Sequence, residues 1–183
     1  DLSFDGENNS IIIKDNGTLN STWTASGNAK LSTTQPFDGF SSLDCTTNGS
    51  YIEATSNFTL DLNDFTIDTD VIFTNSIGTW DAICGNFDNS TTGTWSLWRA
   101  SDGKVVFSTH PNQAIVSLST LQPNTMYNIR VVRKDNQLYL YINKKLDNTY
   151  KSLMPQNSTF DLHIGMAADP SIQFAYPNDY RFH

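Results

Sequence analysis

The stretch "NTMYNIRVVRKDNQLYLYINKKL" (residues 124–146) holds two alternating runs joined by four polar residues. Tyr127, Ile129 and Val131 stand at every second position, with Asn128 and Arg130 between them. Successive side chains of a strand point to opposite faces, so this period of two predicts a half-buried strand. After Lys134-Asp135-Asn136-Gln137 the pattern resumes in Leu138, Leu140 and Ile142, with Tyr139 and Tyr141 on the other face. Asp and Asn favour such turns because their side chains bond nearby amides and tolerate unusual dihedrals. The stretch reads as a β-hairpin in the central region of the domain, with Leu138, Leu140 and Ile142 turned to the core. What Tyr139 and Tyr141 look at on the other side is the functional question.

The remaining chain agrees with a β fold. Only two Glu occur, Glu7 and Glu53, while Asn, Ser and Thr are abundant. That is a composition poor in helix formers and rich in strand and turn residues. No window keeps a helical period. Strand candidates recur at 10–14, 22–25, 41–45, 51–54, 65–74, 80–86, 94–100, 104–109, 114–118, 160–165 and 180–183, separated by Gly, Pro, Asn and Asp clusters. A dozen short strands without a linker or repeat predict one all-β domain over 1–183, a two-sheet antiparallel sandwich of the jelly-roll kind.

Charge and composition exclude several functions. A net charge of −8 opposes nucleic-acid binding, because phosphates attract basic surfaces. No apolar run approaches the ~20 residues that cross a bilayer, so membrane insertion is not expected. Asp1 in place of an initiator Met is what a mature protein or an excised domain shows. Cys45 and Cys84 admit two readings, one disulfide or two unpaired core residues. Seven Asn-X-Ser/Thr sites occur, but a chain this rich in Asn, Ser and Thr produces several by chance. His110, His163 and His183 are isolated and lack the spacing of a zinc site. There is no nucleophile elbow and no phosphate-cradling loop before a helix.

Four motifs occur in a recognisable order: "DFTIDTDVIF" (64–73), "WSLWRASDGKVVFST" (95–109), "MYNIRVVRKDNQLYLYINKKL" (126–146) and "LHIGM" (162–166). Together they resemble the successive strands of laminin-G-like domains in the concanavalin A-like lectin/glucanase superfamily, over roughly residues 40–183. Tyr127 stands near the family's Trp, and Asn143 replaces the usual Asp-Gly after the hairpin. The resemblance implies a concanavalin A-like jelly roll whose closing strand, "NDYRFH" (178–183), returns beside the N-terminal strand. The Asn/Thr-rich, Glu-poor style further resembles carbohydrate-binding modules on phage tail and baseplate proteins. It implies an extracellular or virion-surface location within a larger protein, and a cell-wall or other surface polysaccharide as partner.

Three functions compete. A non-catalytic glycan-binding module comes first, because sugars need exposed aromatic rings beside a few placed polar groups. A protein-binding or structural laminin-G-like domain is the alternative. A glycoside hydrolase comes last: it needs two carboxyl groups about 5 Å apart to retain configuration, and the Glu-X-Asp-X-X-Glu strand of the family's glucanases is missing. Asp68 and Asp70 share one face of their strand, roughly 7 Å apart, and read more readily as a solvated polar face.

Two clusters are candidate sites. Trp98, taken as outward because Leu97 suits the core, is expected to share the concave sheet with Tyr139, Tyr141, Asp68 and Asp70. The stretch "GTWDAICGNFDNSTTGTW" (78–95) adds Trp80, Asp81, Asn86, Asp88 and Trp95 as a loop site for a sugar. Calcium, which takes six to eight oxygens, stays open there without assigned ligands. No other cofactor is expected.

Overall fold

The computed structural model describes residues 2–18, 20–34, 41–47, 49–54, 60, 64–86, 94–110, 113–151, 161–166 and 180–182, and none of these is helical. The strands are β1 (Leu2–Ser3), β2 (Lys14–Asp15), β3 (Trp23–Ser26), β4 (Lys30–Ser32), β5 (Ser42–Asp44), β6 (Tyr51–Ala54), β7 (Phe65–Phe73) and β8 (Asp81–Gly85). They continue with β9 (Trp95–Arg99), β10 (Lys104–Thr109), β11 (Gln113–Thr120), β12 (Met126–Lys134), β13 (Gln137–Ile142), β14 (Lys145–Lys151), β15 (Leu162–Ile164) and β16 (Tyr180–Phe182). Two seven-stranded antiparallel sheets result, ordered β11-β10-β9-β8-β15-β6-β3 and β14-β13-β12-β7-β16-β5-β4, with β1-β2 as a separate ribbon. This is the two-sheet sandwich that the alternating pattern predicted.

The hairpin is present with its predicted faces. Lys134 lies opposite Gln137, leaving Asp135 and Asn136 as a two-residue turn. Both have positive φ, 51° and 62°. That is the turn whose twist matches the right-handed twist of the flanking strands, and Asn and Asp tolerate it best. Asn143 and Lys144 repeat the device at φ 51° and 64° and lead into β14. Pattern reading missed β14, because "KLDNTYK" has no apolar alternation. It also missed the short β1 and β4. In the 10–14 candidate only Lys14 is in a strand, while Ile11 and Ile12 are 64 % and 70 % exposed.

The hairpin strands β13 and β12 are second and third from one edge of their sheet, with β14 outside them. One expectation about position is corrected. The closing strand β16 does not return beside the N-terminal strand. It lies between β7 and β5, with Phe182 opposite both Val71 and Leu43.

Inner faces of the two sheets supply the core. Ile83, Leu97, Val105, Phe107 and Ile52 come from one sheet, and Val71, Phe73, Ile129, Val131 and Leu140 from the other, all fully buried. Cys45 and Cys84 are free thiols, which decides between the two readings left open. Along one side the sheets meet edge to edge. The Asp147 carboxylate on β14 accepts the amides of Leu118 (2.6 Å) and Ser119 (3.1 Å) and the Ser119 hydroxyl. Asn148 donates from Nδ2 to the Val116 carbonyl at 2.7 Å. These bonds occupy backbone groups that an open edge would offer to another chain.

Candidate functional site

The outer face of the second sheet follows from its register. Because Ile129, Val131, Leu138 and Leu140 point into the core, their neighbours must point out. Pairing then sets these neighbours in rows. One row runs Asp68, Arg130, Tyr141, Leu146 across β7, β12, β13 and β14; the next runs Thr66, Val132, Tyr139, Thr149. On the other side of the first row Asp70 faces Asn128, and beyond them Ile72 faces Met126. Tyr141 lies two strands from Asp68, roughly 10 Å by strand spacing. Arg130 stands between the two in the same row.

Hydrogen bonds lock the polar part. Asn128 donates from Nδ2 to Asp68 Oδ1 (2.9 Å) and to Asp70 Oδ1 (2.8 Å). Its own amide is held by Asn143 Oδ1 at 3.0 Å, so the second turn steadies this end of the face. Arg130 donates from Nε to Asp68 Oδ2 at 2.9 Å, and a terminal nitrogen pairs with the same oxygen. The hydrogen bonds and then the charge of Asp68 hold the Arg130 guanidinium above its ordinary pKa. Both side chains stay open to solvent, at 41 % and 36 % exposure. Tyr139, Tyr141 and Val132 are half-buried beside them.

Trp98 does not share this face, which corrects the expected grouping. It sits on β9 in the first sheet, between Ala82 and Val106, and so on the opposite outer surface of the sandwich. There it meets Trp80 edge to face, ring centroids 5.2 Å apart, with both rings half-buried. The expected loop site resolves into interior structure. Trp95 is 2 % exposed and packs against Phe107, centroids 5.9 Å apart. Asn86 is buried, and its Oδ1 accepts the Trp95 amide at 2.9 Å.

Asp81 is wholly buried with Arg99, whose Nε and terminal nitrogen reach Asp81 Oδ2 at 2.7 and 2.5 Å. Its other oxygen accepts Asn75 Nδ2 at 3.2 Å. The carboxylate is thus taken up by the fold and closed to a sugar or a cation. Asp88 lies outside the described residues. Among the described residues no group of three His, Cys, Asp or Glu is placed to hold a metal ion.

Arg130, Asn128 and Val132 were not singled out from the sequence. Their parity against Ile129 and Val131 marks them as outward, but pairing with Asp68 and Asp70 depends on β12 lying beside β7. No local pattern encodes that pairing.

The chain's fold has relatives. Residues 46–175, more than half of the chain, match the laminin-G-type family model of the concanavalin A-like lectin/glucanases superfamily. The chain belongs to that superfamily. Among solved structures, one concerning botulinum neurotoxin type C, whose cell entry depends on interaction with two ganglioside molecules, superposes with TM-score 0.68 at 16 % identity, covering 99 % of this chain and 47 % of that one. The binding domain of botulinum neurotoxin DC in complex with SialylT also gives 0.68 at 16 % identity, over 93 % of this chain and 43 % of that one. Carbohydrate-binding module CBM66 from Bacillus subtilis gives 0.51 at 14 % identity, over 88 % of this chain and 91 % of that one. The chain thus spans just under half the length of the toxin chains it matches. At these identities the likeness is one of fold. No curated protein matches the chain by sequence.

Proposed function

We propose that the chain is a non-catalytic carbohydrate-binding module whose saccharide lies on the outer face of the second sheet. The observation that carries this reading is the pair Tyr139 and Tyr141 beside the bonded cluster of Asp68, Asp70, Asn128 and Arg130. A pyranose offers C–H faces that suit an aromatic ring and hydroxyls that pair with fixed carboxylate and guanidinium groups. Superfamily membership and the named binding modules among the structural neighbours support it.

Catalysis is not supported by the same groups. Asp68 and Asp70 project from one strand and are tied to a single Asn128, so they do not face each other across a space that could hold a glycosidic bond. The decisive experiment is titration of the protein with a panel of oligosaccharides, followed by calorimetry on Tyr141→Ala and Tyr139→Ala. The expected loss is tenfold or more in affinity for at least one variant, with folding intact. Unchanged affinity in both would move the site elsewhere, first to Trp80 and Trp98. Release of reducing ends from any bound glycan would overturn the non-enzymatic reading.

We place the module outside the cell or on a virion surface, within a larger protein that holds a surface polysaccharide. Its Asn/Thr-rich, acidic composition supports that setting. Sedimentation of the purified domain with intact bacterial cell walls tests it, and absence of co-sedimentation with every wall tried would count against it.

A further inference from the structure

Arg130 is the group of the platform best placed to read a sugar, given the reading above that the platform binds saccharide. It is the cross-strand partner of Tyr141 on one side and of Asp68 on the other. Side chains of such partners stand within reach of each other on one face of a sheet. Of the five N–H groups of a guanidinium, Asp68 takes two, one from Nε and one from a terminal nitrogen, both on its Oδ2. Those two form one edge of the planar fork. Three N–H groups remain on the terminal nitrogens, and the side chain is 41 % exposed. Asp68 is itself pinned through Oδ1, which accepts Asn128 Nδ2 at 2.9 Å. The guanidinium is therefore held in place with a second donor edge free, beside an aromatic ring.

We infer that the sugar unit seated on Tyr141 carries a carboxylate, gripped by the free edge of Arg130. Two parallel N–H groups match the two oxygens of a carboxylate in spacing and plane, and such forked, charge-assisted pairs are stronger than bonds to a neutral hydroxyl. The groups nearest Tyr141 along its strand suit an acid as well. Asn143, two residues on and exposed, spends Oδ1 on the Asn128 amide and keeps Nδ2 as a donor. Lys144 follows it, exposed in the same turn. The carboxylates around the face are engaged or distant. Asp68 lies across Arg130 from the tyrosine and is paired with it. Asp70 stands two strands and two residues from Tyr141, roughly 12 Å by strand geometry, beyond the ~8 Å over which exposed charges act in physiological salt. Asp147 gives its oxygens to the amides of Leu118 and Ser119.

The test uses pairs of oligosaccharides that differ in one unit, neutral hexose against the corresponding uronic acid. Affinities are measured by calorimetry on wild type, Arg130→Lys, Lys144→Gln and Tyr141→Ala, with melting curves on each to show that it folds. Acidic members are expected to bind about tenfold more tightly than their neutral partners, the scale of one good forked pair at an open site. Arg130→Lys keeps the charge and removes the fork, so it is expected to narrow that ratio to about threefold or less. Tyr141→Ala weakens both members. Neutral sugars binding as tightly as acidic ones in wild type would overturn the inference and leave the saccharide reading standing. A preference for acids that survives Arg130→Lys and disappears in Lys144→Gln would overturn the assignment to Arg130. If no saccharide of either series binds, the saccharide reading and this inference fall together.

Discussion

Arg99 is wholly buried, and its environment explains how an acidic, polar chain tolerates it. Beyond Asp81, it donates to the Asn75 carbonyl at 2.9 Å and lies over the Phe73 ring, 4.4 Å from the centroid. A buried charge without its partner is costly, so Asp81→Ala is expected to destabilise by about 3–5 kcal/mol. Replacing both residues with Leu should recover most of that loss, and denaturant titration measures both. Trp95→Ala is expected to cost about 3–5 kcal/mol through the cavity it leaves. Tyr141→Ala should leave the melting temperature within a few degrees while lowering sugar affinity, so stability and binding separate the two kinds of aromatic.

The thiols make a further prediction at this scale. Burial raises the Cys45 pKa well above the ordinary thiol value and pushes Cys84 up to about 12. Unfolded thiols ionise near 8.5, so between there and about 12 the unfolded chain binds fewer protons than the folded one. Their contribution to stability is thus fully present below pH 8.5 and lost as pH rises. Urea midpoints at pH 8 and 10.5, compared with Cys45→Ala/Cys84→Ala, should show a steeper fall in the parent. An equal slope in both would refute the assignment.

Elements are held by their turns and edges. Asn136 sits at φ 62° and accepts Arg133 through its Oδ1 at 2.9 Å. Asn136→Ala adds left-handed strain of about 1–2 kcal/mol and removes that bond, so it should loosen the β12–β13 hairpin. Asp147→Ala leaves the Leu118 and Ser119 amides without their acceptor at the β11–β14 edge. Hydrogen exchange at these two amides should accelerate at least tenfold, with little change in the β7–β12 ladder. The hairpin was legible because its alternation and its Asp-Asn turn are local. β14 was not, because an edge strand whose chains reach water has no need of an apolar face.

For the whole molecule, β16 is the sensitive point. Three residues near the end of the chain join the β5–β4 pair to β7, with register Tyr180 to Phe73 and Phe182 to Val71. Deleting residues 178–183 would leave β7 and β5 with open edges in the middle of a sheet. The truncated chain is expected to lose its cooperative melting transition, whereas removing a terminal strand does not by itself split a sheet. Because β16 pairs with strands more than a hundred residues earlier, folding should also be slow, milliseconds to seconds in stopped-flow refolding.

The sequence by itself determined the class of fold, the turn at Asp135-Asn136 and the two faces of β7, β12 and β13. Those features follow from the two-residue period of an extended backbone, which each segment carries within itself. Even the burial of Arg99 is hinted at by its place in step with Trp95 and Leu97. Tertiary structure decided which faces meet. It put Trp98 and the tyrosines on opposite outer surfaces, gave Asp81 to Arg99 instead of to a ligand, and set Arg130 and Asn128 against Asp68 and Asp70. Each of those outcomes depends on pairing between strands far apart in the chain, and a side chain's own neighbours carry no signal of which distant strand lies beside it.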